Sequence, residues 1–405
     1  LDRGYCCFIG DKAGIFRATK YFNNGTYFYK SINSTDTKHI FKIKDKNNSF
    51  ISLDEEGGFA ISSSEEFKNF LSHRSSSENM QLVDKIFTYG NFDNQIWKKK
   101  YFKFRKKLKI SGGIRFDICK KNILKRVYKN EIKNIQKKYG QNYILVATSF
   151  ISSKKEISNY LNSDKFFLKK MPKSYIKKRY NHLINQYKLG VKFKSLIQKI
   201  ILSFPEKKII LRPHPSENLA DWKKYKSKTL KDNDNFVIDT YHDLNSLIHN
   251  SNYLIHCEST AALQSLIQKK NTISYKPKGI KLRRQLFNSI GNIANSEKQV
   301  IDIIKKSKKT LFKPTNLNLI KEHINNLNSK KLASDIILNE LNSLKEKTSK
   351  INLTKLIFLS PIYFISDFFF NLLKLRQYNP SHFTYAIRSN LQKFTFGFFL
   401  IGFDL

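Results

Sequence analysis

The chain reads as an α/β protein built from two Rossmann-like domains, and three observations predict it. Between residues 143 and 275, short apolar runs alternate with helical ones: strands at 143–148, 208–213, 235–239, 252–256 and 271–275, helices around 177–203, 218–226, 243–249 and 260–268. Strands separated by helices make βαβ units and a parallel sheet. Two of these strands stop at polar corners, as buried strands do where they deliver side chains to a sheet edge. At 405 residues the chain also has the length for two ordinary domains with sizeable cores.

Taken in order, residues 5–10 form a small apolar run ending at Asp11, and a mixed stretch leads through Tyr27 to Ile32. Ser49-Phe50-Ile51-Ser52-Leu53 alternates at period two and stops at Asp54-Glu55-Glu56-Gly57-Gly58. Three carboxylates thus sit at a strand end beside two flexible residues. Strand-like ends follow at 85–90 and 109–113, with a helix predicted over 95–104 between them. Gly112-Gly113-Ile114-Arg115-Phe116-Asp117 comes next. Its plain reading is an Arg-Asp pair bracing a turn, its other reading a substrate contact. A lysine-rich helix over 122–139 crosses to the strand at 143–148, which places a domain boundary near residue 140 and a second domain over 141–315.

The helix over 177–203 carries Leu183, Ile184, Tyr187, Phe193, Leu196, Ile197 and Ile200 at helical spacing, a core-packing face. Asp243 stands where an N-cap belongs. Residues 316–349 read as a charged helical stretch with Ile320, Ile324, Leu327, Leu332, Ile336, Ile337 and Leu341 on one face, opening an extension over 316–405. Eleven of the 33 phenylalanines fall within 353–405. The best spanning segment there, 356–373, contains Pro361, Asp367 and Asn371, which disfavours a transmembrane helix. The tail is expected to lie on an anionic membrane surface, the other readings being a packed subdomain and a true span.

The two polar corners carry the chemistry. Lys208-Ile209-Ile210-Leu211 ends at Arg212-Pro213-His214-Pro215-Ser216-Glu217, and Asn252-Tyr253-Leu254-Ile255-His256-Cys257-Glu258 ends at Ser259-Thr260, which opens a helix. Hydroxyls and free amides at a helix start suit an anion. Two such corners at the carboxyl edge of a parallel sheet would hold a nucleotide phosphate between neighbouring strands. Taken singly, His214 reads equally as a turn histidine and Ser259-Thr260 as a plain helix cap. Arg212 is expected to pair with Glu217 or to reach the nucleotide.

The Arg-Pro-His-Pro-Ser-Glu string, the Ser-Thr pair and Asp54-Glu55-Glu56-Gly57-Gly58 resemble the bacterial surface-carbohydrate biosynthesis proteins, a family of GT-B-like glycosyltransferases. They are similar also to the His-Pro, Ser-Ser/Thr and acidic-acidic-Gly motifs of bacterial sialyltransferases and Kdo transferases. The resemblance covers residues 5 to 315. It implies two Rossmann-like domains facing a cleft, with nucleotide or phosphate contacts from Arg212, His214, Pro215, Ser216, Glu217, Ser259 and Thr260. It implies catalysis by Glu56, or by Glu55 beside it. Residues 4–10 resemble the family's second strand, so the first strand and helix are expected to be missing. Lys269-Lys270-Asn271 departs from the family's Gly-Lys-Pro turn.

Composition narrows the partners. The net charge is +42 and the pI about 9.9, which by itself suggests nucleic acid or an anionic surface. Only 12 of the 74 basic residues are arginine, however, and they are diffuse, with no Arg-rich arm or zinc-finger spacing. Nucleic acid is therefore not the expected partner. Cys6, Cys7, Cys119 and Cys257 lack Cys-x-x-Cys spacing, so no metal or cofactor is expected and a reduced compartment is. The expectation is a cytoplasmic enzyme, peripheral on the inner face of the membrane. It would transfer a CMP-activated keto-sugar acid, Kdo or a sialic-acid relative, to a lipid-linked glycan of a capsule, O-antigen or lipopolysaccharide. The alternatives are a CDP-glycerol type of glycerophosphate or polyol-phosphate transferase and a non-catalytic binding or scaffold protein.

Overall fold

The computed structural model describes residues 22–55, 63–151, 154–163, 173–282, 285–306, 317–327, 331–342 and 350–351, with Ile15 alone before them. Glu56, the expected first strand remnant at 5–10 and the aromatic tail over 353–405 lie outside the described residues. The chain divides into two compact units, residues 1–27, 37–50 and 346–405 in one, 28–36 and 51–345 in the other. In the smaller unit Phe22–Asn23 pairs antiparallel with Lys350–Ile351, and the helix Thr37–Asp45 buries Ile40 and Ile43. Among the described residues no helix is long and apolar enough to cross a membrane.

The first sheet runs β1 (Thr26–Tyr29), β2 (Ser49–Ser52), β3 (Lys85–Thr88) and β4 (Leu108–Ile110), in that spatial order. The pairings β2 to β3 and β3 to β4 are parallel. Helix α1 (Ser64–Arg74) separates β2 from β3. Ser63 caps it by accepting from the Glu66 N–H at 3.4 Å, and Glu65 and Glu66 sit at its positive end. Helix α2 (Asn91–Lys100) starts earlier than the expected 95 and gives way to a 3₁₀ segment, Phe102–Lys107. Its start is set by Asp93, whose carboxylate accepts from the Tyr89 and Gly90 N–H groups at 3.0 and 2.9 Å. A Cβ on Gly90 would fall 2.3 Å from the Glu322 carbonyl oxygen, an approach only glycine permits.

The expected helix over 122–139 is two helices, Lys121–Val127 and α3 (Lys129–Tyr139), because Tyr128 at φ −107 and ψ 19 leaves helical space between them. The second sheet then holds β5 (Tyr143–Ala147), β6 (Ile209–Arg212), β7 (Phe236–Ile238), β8 (Ser251–His256), β9 (Asn271–Tyr275) and β10 (Asn292–Ala294). The connecting helices are α4 (Lys173–Ser203) and α5 (Leu219–Thr229), then α6 (Leu244–Asn250), α7 (Ala261–Ile267) and a short turn, Gln285–Asn288. The spatial order is β10-β9-β8-β5-β6-β7, and all neighbouring strands pair in parallel. Counted from β5, this is the order 3-2-1-4-5-6 of the dinucleotide-binding folds.

Both faces of this sheet are covered, as parallel sheets require. Ile144, Val146, Ile209, Leu211, Ile255 and Ile273 pack against Phe193, Leu196, Ile197 and Ile200 of α4. The alternate positions Tyr143, Leu145, Ala147, Ile210 and Leu254 pack against Ile135 of α3 and Leu247 and Ile248 of α6. One strand therefore feeds two layers at period two. Helix α3 lies just before the boundary expected near residue 140, yet it packs on the second sheet.

A third cluster joins Tyr89, Phe116 and Cys119 to Leu263, Leu286, Phe287, Ile320 and Ile324. Beside it, Asp117 accepts from Asn326 Nδ2 at 2.8 Å and from the Ala333 and Ser334 N–H groups at 3.1 and 3.0 Å. Asp117 thus caps helix α8 (Ala333–Asn342) from across the chain. The expected Arg115-Asp117 brace is replaced by this clamp, because a buried carboxylate gains more from converging N–H donors than from an exposed guanidinium.

Candidate functional site

At the carboxyl end of β2, the acidic triplet divides its labour. Asp54 is fully buried at φ +46 and pairs through Oδ1 with Arg74 Nη2 at 2.8 Å, while Trp97 Nε1 donates to Oδ2 at 3.3 Å. Burial pushes its carboxyl up to about 6 against the pull of Arg74. Asp54 is therefore a structural anchor.

Glu55 is only partly buried. Tyr89, just after β3, donates its hydroxyl to Glu55 Oε2 at 2.8 Å. Burial raises the Glu55 pKa, opposed by this hydrogen bond and by the positive charge of Arg115 after β4. Burial and the neighbouring carboxylate hold the Tyr89 hydroxyl protonated. A partly exposed carboxylate with a raised pKa, a phenol and a guanidinium thus share the carboxyl edge of the first sheet. The sequence singled out Glu55 and noticed Arg115 but missed Tyr89, whose signal was a strand ending in Tyr-Gly.

At the carboxyl end of β6, the Pro-His-Pro corner is laced internally. Glu217 Oε1 accepts from the His214 N–H at 2.9 Å, Oε2 accepts from Trp222 Nε1 at 2.8 Å, and the Glu217 N–H returns to the His214 carbonyl at 2.9 Å. Burial lifts the Glu217 carboxyl to about 7 in spite of those donors. His214, Pro215 and Ser216 are exposed. The His214 Nδ1 accepts from the Ser216 N–H at 3.2 Å and lies 2.7 Å from its Oγ. A neutral ring fixed in this way carries its proton on Nε2, a donor for an anion.

Of the two roles expected of Arg212, the pairing with Glu217 is not made. Its Nη1 donates to the Asp239 carbonyl at 3.2 Å and lies 3.7 Å from Oδ1. Asp239 follows β7 directly and also accepts from the Tyr139 hydroxyl at 2.8 Å and from the Tyr241 and His242 N–H groups. The His242 Nδ1 stands 2.6 Å from its Oδ2. So many donors outweigh burial and lower the Asp239 pKa. This hub, unseen in the sequence, takes Arg212 because a carboxylate at the adjacent strand end is nearer than one further along its own loop.

At the carboxyl end of β8, Glu258 occupies φ +54, a strained corner. Its N–H donates to Asn288 Oδ1 at 2.8 Å, and Gln186 Nε2 donates to its Oε2 at 3.3 Å. The corner sets Ser259 and Thr260 at the start of α7. Ser259 Oγ accepts from the Ala261 N–H at 3.2 Å, while Thr260 makes no side-chain cap bond. Next to Gln186, Tyr187, Lys188 and Lys192 join Lys154, Lys278 and Ile280 around an open groove of about 430 Å³. His256 is fully buried against Ser274 Oγ at 2.9 Å, and burial drives its pKa to about 3, so it is a neutral core histidine. Among the described residues no group of three His, Cys, Asp or Glu side chains could hold a metal ion.

The His-Pro and Ser-Thr corners do not lie on neighbouring strands, as expected, but flank β5. Two inter-strand spacings, about 10 Å, part their strands. Between β5 and β8 the strand order reverses direction, and ligands of open α/β sheets bind outside the carboxyl ends at such a point. The chain is thus an α/β protein with two larger sheets, the second wholly parallel and of Rossmann strand order. No protein-family model matches it, and no curated protein does. Among solved structures it is similar to the UDP-GlcNAc 2-epimerase of Methanocaldococcus jannaschii (13% identity, 78% of this chain and 76% of that one, TM-score 0.49). Others are the UDP-GlcNAc 2-epimerase of Neisseria meningitidis bound to UDP-GlcNAc (11%, 79% and 76%, 0.46) and the wall teichoic acid polymerase TagF (11%, 79% and 74%, 0.45).

Proposed function

We propose that the chain is a nucleotide-sugar-dependent, metal-independent glycosyltransferase of surface-polysaccharide biosynthesis, with a CMP-activated keto-sugar acid as donor and a lipid-linked glycan as acceptor. The observation that carries this reading is the pair of polar corners on either side of β5 at the sheet's switch point. His214 Nε2–H and the Thr260 hydroxyl and amide supply neutral donors to the departing phosphate, and the lysines around the neighbouring groove offset its charge. Ser216 and Glu217 hold the His214 ring and loop in place. Pro215 and Arg212 act on the shape of the corner.

Glu55 serves as the base. Its carboxylate takes the proton of the acceptor hydroxyl as that oxygen attacks the anomeric carbon, and the bond from that carbon to the phosphate oxygen breaks. A raised pKa makes the carboxylate a stronger base near neutrality, and Tyr89 and Arg115 keep it ionised enough to act. The sequence resemblance favours Glu56 and the surroundings of Glu55 favour Glu55, so both are tested below. The aromatic, basic residues 353–405 support a peripheral place on the cytoplasmic membrane.

Thermal stabilisation by CMP, CDP, UMP, UDP and GDP tests the donor class. A nucleotide at a hundred times its Kd adds about 2.7 kcal/mol. CMP-selective stabilisation is expected. Selectivity for CDP would move the reading to a polyol-phosphate transferase, and no shift with any nucleotide would overturn it in favour of a non-catalytic protein.

A further inference from the structure

Residues 98–107 read Lys-Lys-Lys-Tyr-Phe-Lys-Phe-Arg-Lys-Lys, a stretch in which every residue is basic or aromatic. It joins the last turn of α2 to the 3₁₀ segment Phe102–Lys107. Its inner side is fastened. Tyr101 is 6% exposed and donates its hydroxyl to the Ser75 carbonyl at 2.8 Å. Lys100 Nζ reaches Ser72 Oγ at 2.6 Å, and Lys107 Nζ reaches the Met80 and Gln81 carbonyls at 3.0 and 2.8 Å. The rest of the stretch is outward: Lys98, Lys99, Lys103, Arg105 and Lys106 are all exposed, and Phe102 is 65% exposed. Among the described residues none of these five cations is ion-paired.

We propose that this outer face docks the protein on an anionic lipid bilayer, with Phe102 entering the headgroup layer and the five cations meeting lipid phosphates. Charge complementarity selects the partner: a concentrated positive surface with one protruding apolar ring matches a surface both anionic and apolar just below. A single-stranded nucleic acid would need an open aromatic face for base stacking. The Arg105 guanidinium lies over the Phe102 ring at 4.0 Å and covers one face, while the ring edge stays free to insert. The lysine stems lie along the interface and keep their heads in water. The inference is independent of the proposed sugar transfer and of residues 353–405.

The chain's two tryptophans, Trp97 and Trp222, are both fully buried, so Phe102→Trp introduces the one exposed indole among the described residues. With the full chain on vesicles of brominated phosphatidylcholine containing about one-third phosphatidylglycerol, the introduced emission should shift to the blue and be quenched. An unquenched indole on protein that sediments with the vesicles overturns the proposal, because another part of the chain is then the anchor. Reversing Lys98, Lys99, Lys103 and Lys106 to Glu together should weaken partitioning at least about tenfold, and unchanged partitioning overturns it. Release of the protein from vesicles by an equal charge of duplex DNA would assign the face to nucleic acid instead.

Discussion

The two sheets put polar residues at their carboxyl edges to different use. On the first, Asp54 is sealed under Arg74 and Trp97, Asp93 is spent on the N–H groups of Tyr89 and Gly90, and Glu55 is partly open. On the second, Glu217 and Asp239 hold their loops from behind, while His214, Ser216 and Thr260 stay at or near the surface. Carboxylates fasten in both places, but the first edge leaves the Glu55 carboxylate partly exposed and the second leaves neutral donors at or near the surface. Sequence proximity did not separate these roles. Neighbours in the triplet, Asp54 and Glu55, differ because one side chain meets a buried guanidinium and the other a phenol at the rim.

The comparison breaks most readily at Asp54. Asp54→Asn leaves the Arg74 charge buried without its counter-ion, a loss on the order of 3–5 kcal/mol in urea unfolding. Replacing both partners by apolar residues, Asp54→Leu with Arg74→Met, should recover most of it. A cost below about 1 kcal/mol for the single change would mean the pair is not a fastener.

Glu55→Gln sharpens the chemical side. Turnover should fall at least about 100-fold, with nucleotide binding within about threefold of the parent. Glu56→Gln measured beside it locates the base: normal turnover in Glu55→Gln and loss in Glu56→Gln moves the role one residue, and activity in both makes the triplet structural.

His214→Ala probes the second edge. Because the ring is exposed, the melting temperature should hold while nucleotide affinity drops by roughly 1.5–3 kcal/mol, the range for hydrogen bonds to charged groups. Unchanged affinity in the folded variant would remove His214 from the site.

Glu217 gives the smallest effect and a pH signature. Its folded pKa of about 7 lies above its ordinary 4.5, so between those values the folded chain holds a proton the unfolded chain has lost. This group's contribution to stability therefore declines as pH rises through that window. Glu217→Gln cannot titrate, so its melting temperature relative to the parent should move in the variant's favour between about pH 5 and pH 7.5. A constant difference would mean that Glu217 is ionised throughout.

Much of the second sheet was legible because apolar strands and amphipathic helices have fixed periods: β9 at Asn271–Tyr275 falls where the pattern put it, and Asp243 caps α6 through the Asn245 N–H at 2.8 Å. The sequence alone determined the alternation, the parallel sheet, and the polar corners at His214, which is exposed, and at Ser259-Thr260, which is half-buried. Local pattern also held the signal for α1, a Ser63 cap with two glutamates behind it, which went unread.

Only the tertiary structure decided the strand order that inserts β5 between the two corners, the diversion of Arg212 to Asp239, the clamp of Asp117 on α8 and the meeting of Tyr89 with Glu55. The reason is physical. Periodicity and capping act within a few residues along the chain, whereas these pairings join groups as far apart in sequence as Asp117 and Ser334, and which donor reaches which carboxylate is settled by the packing between them.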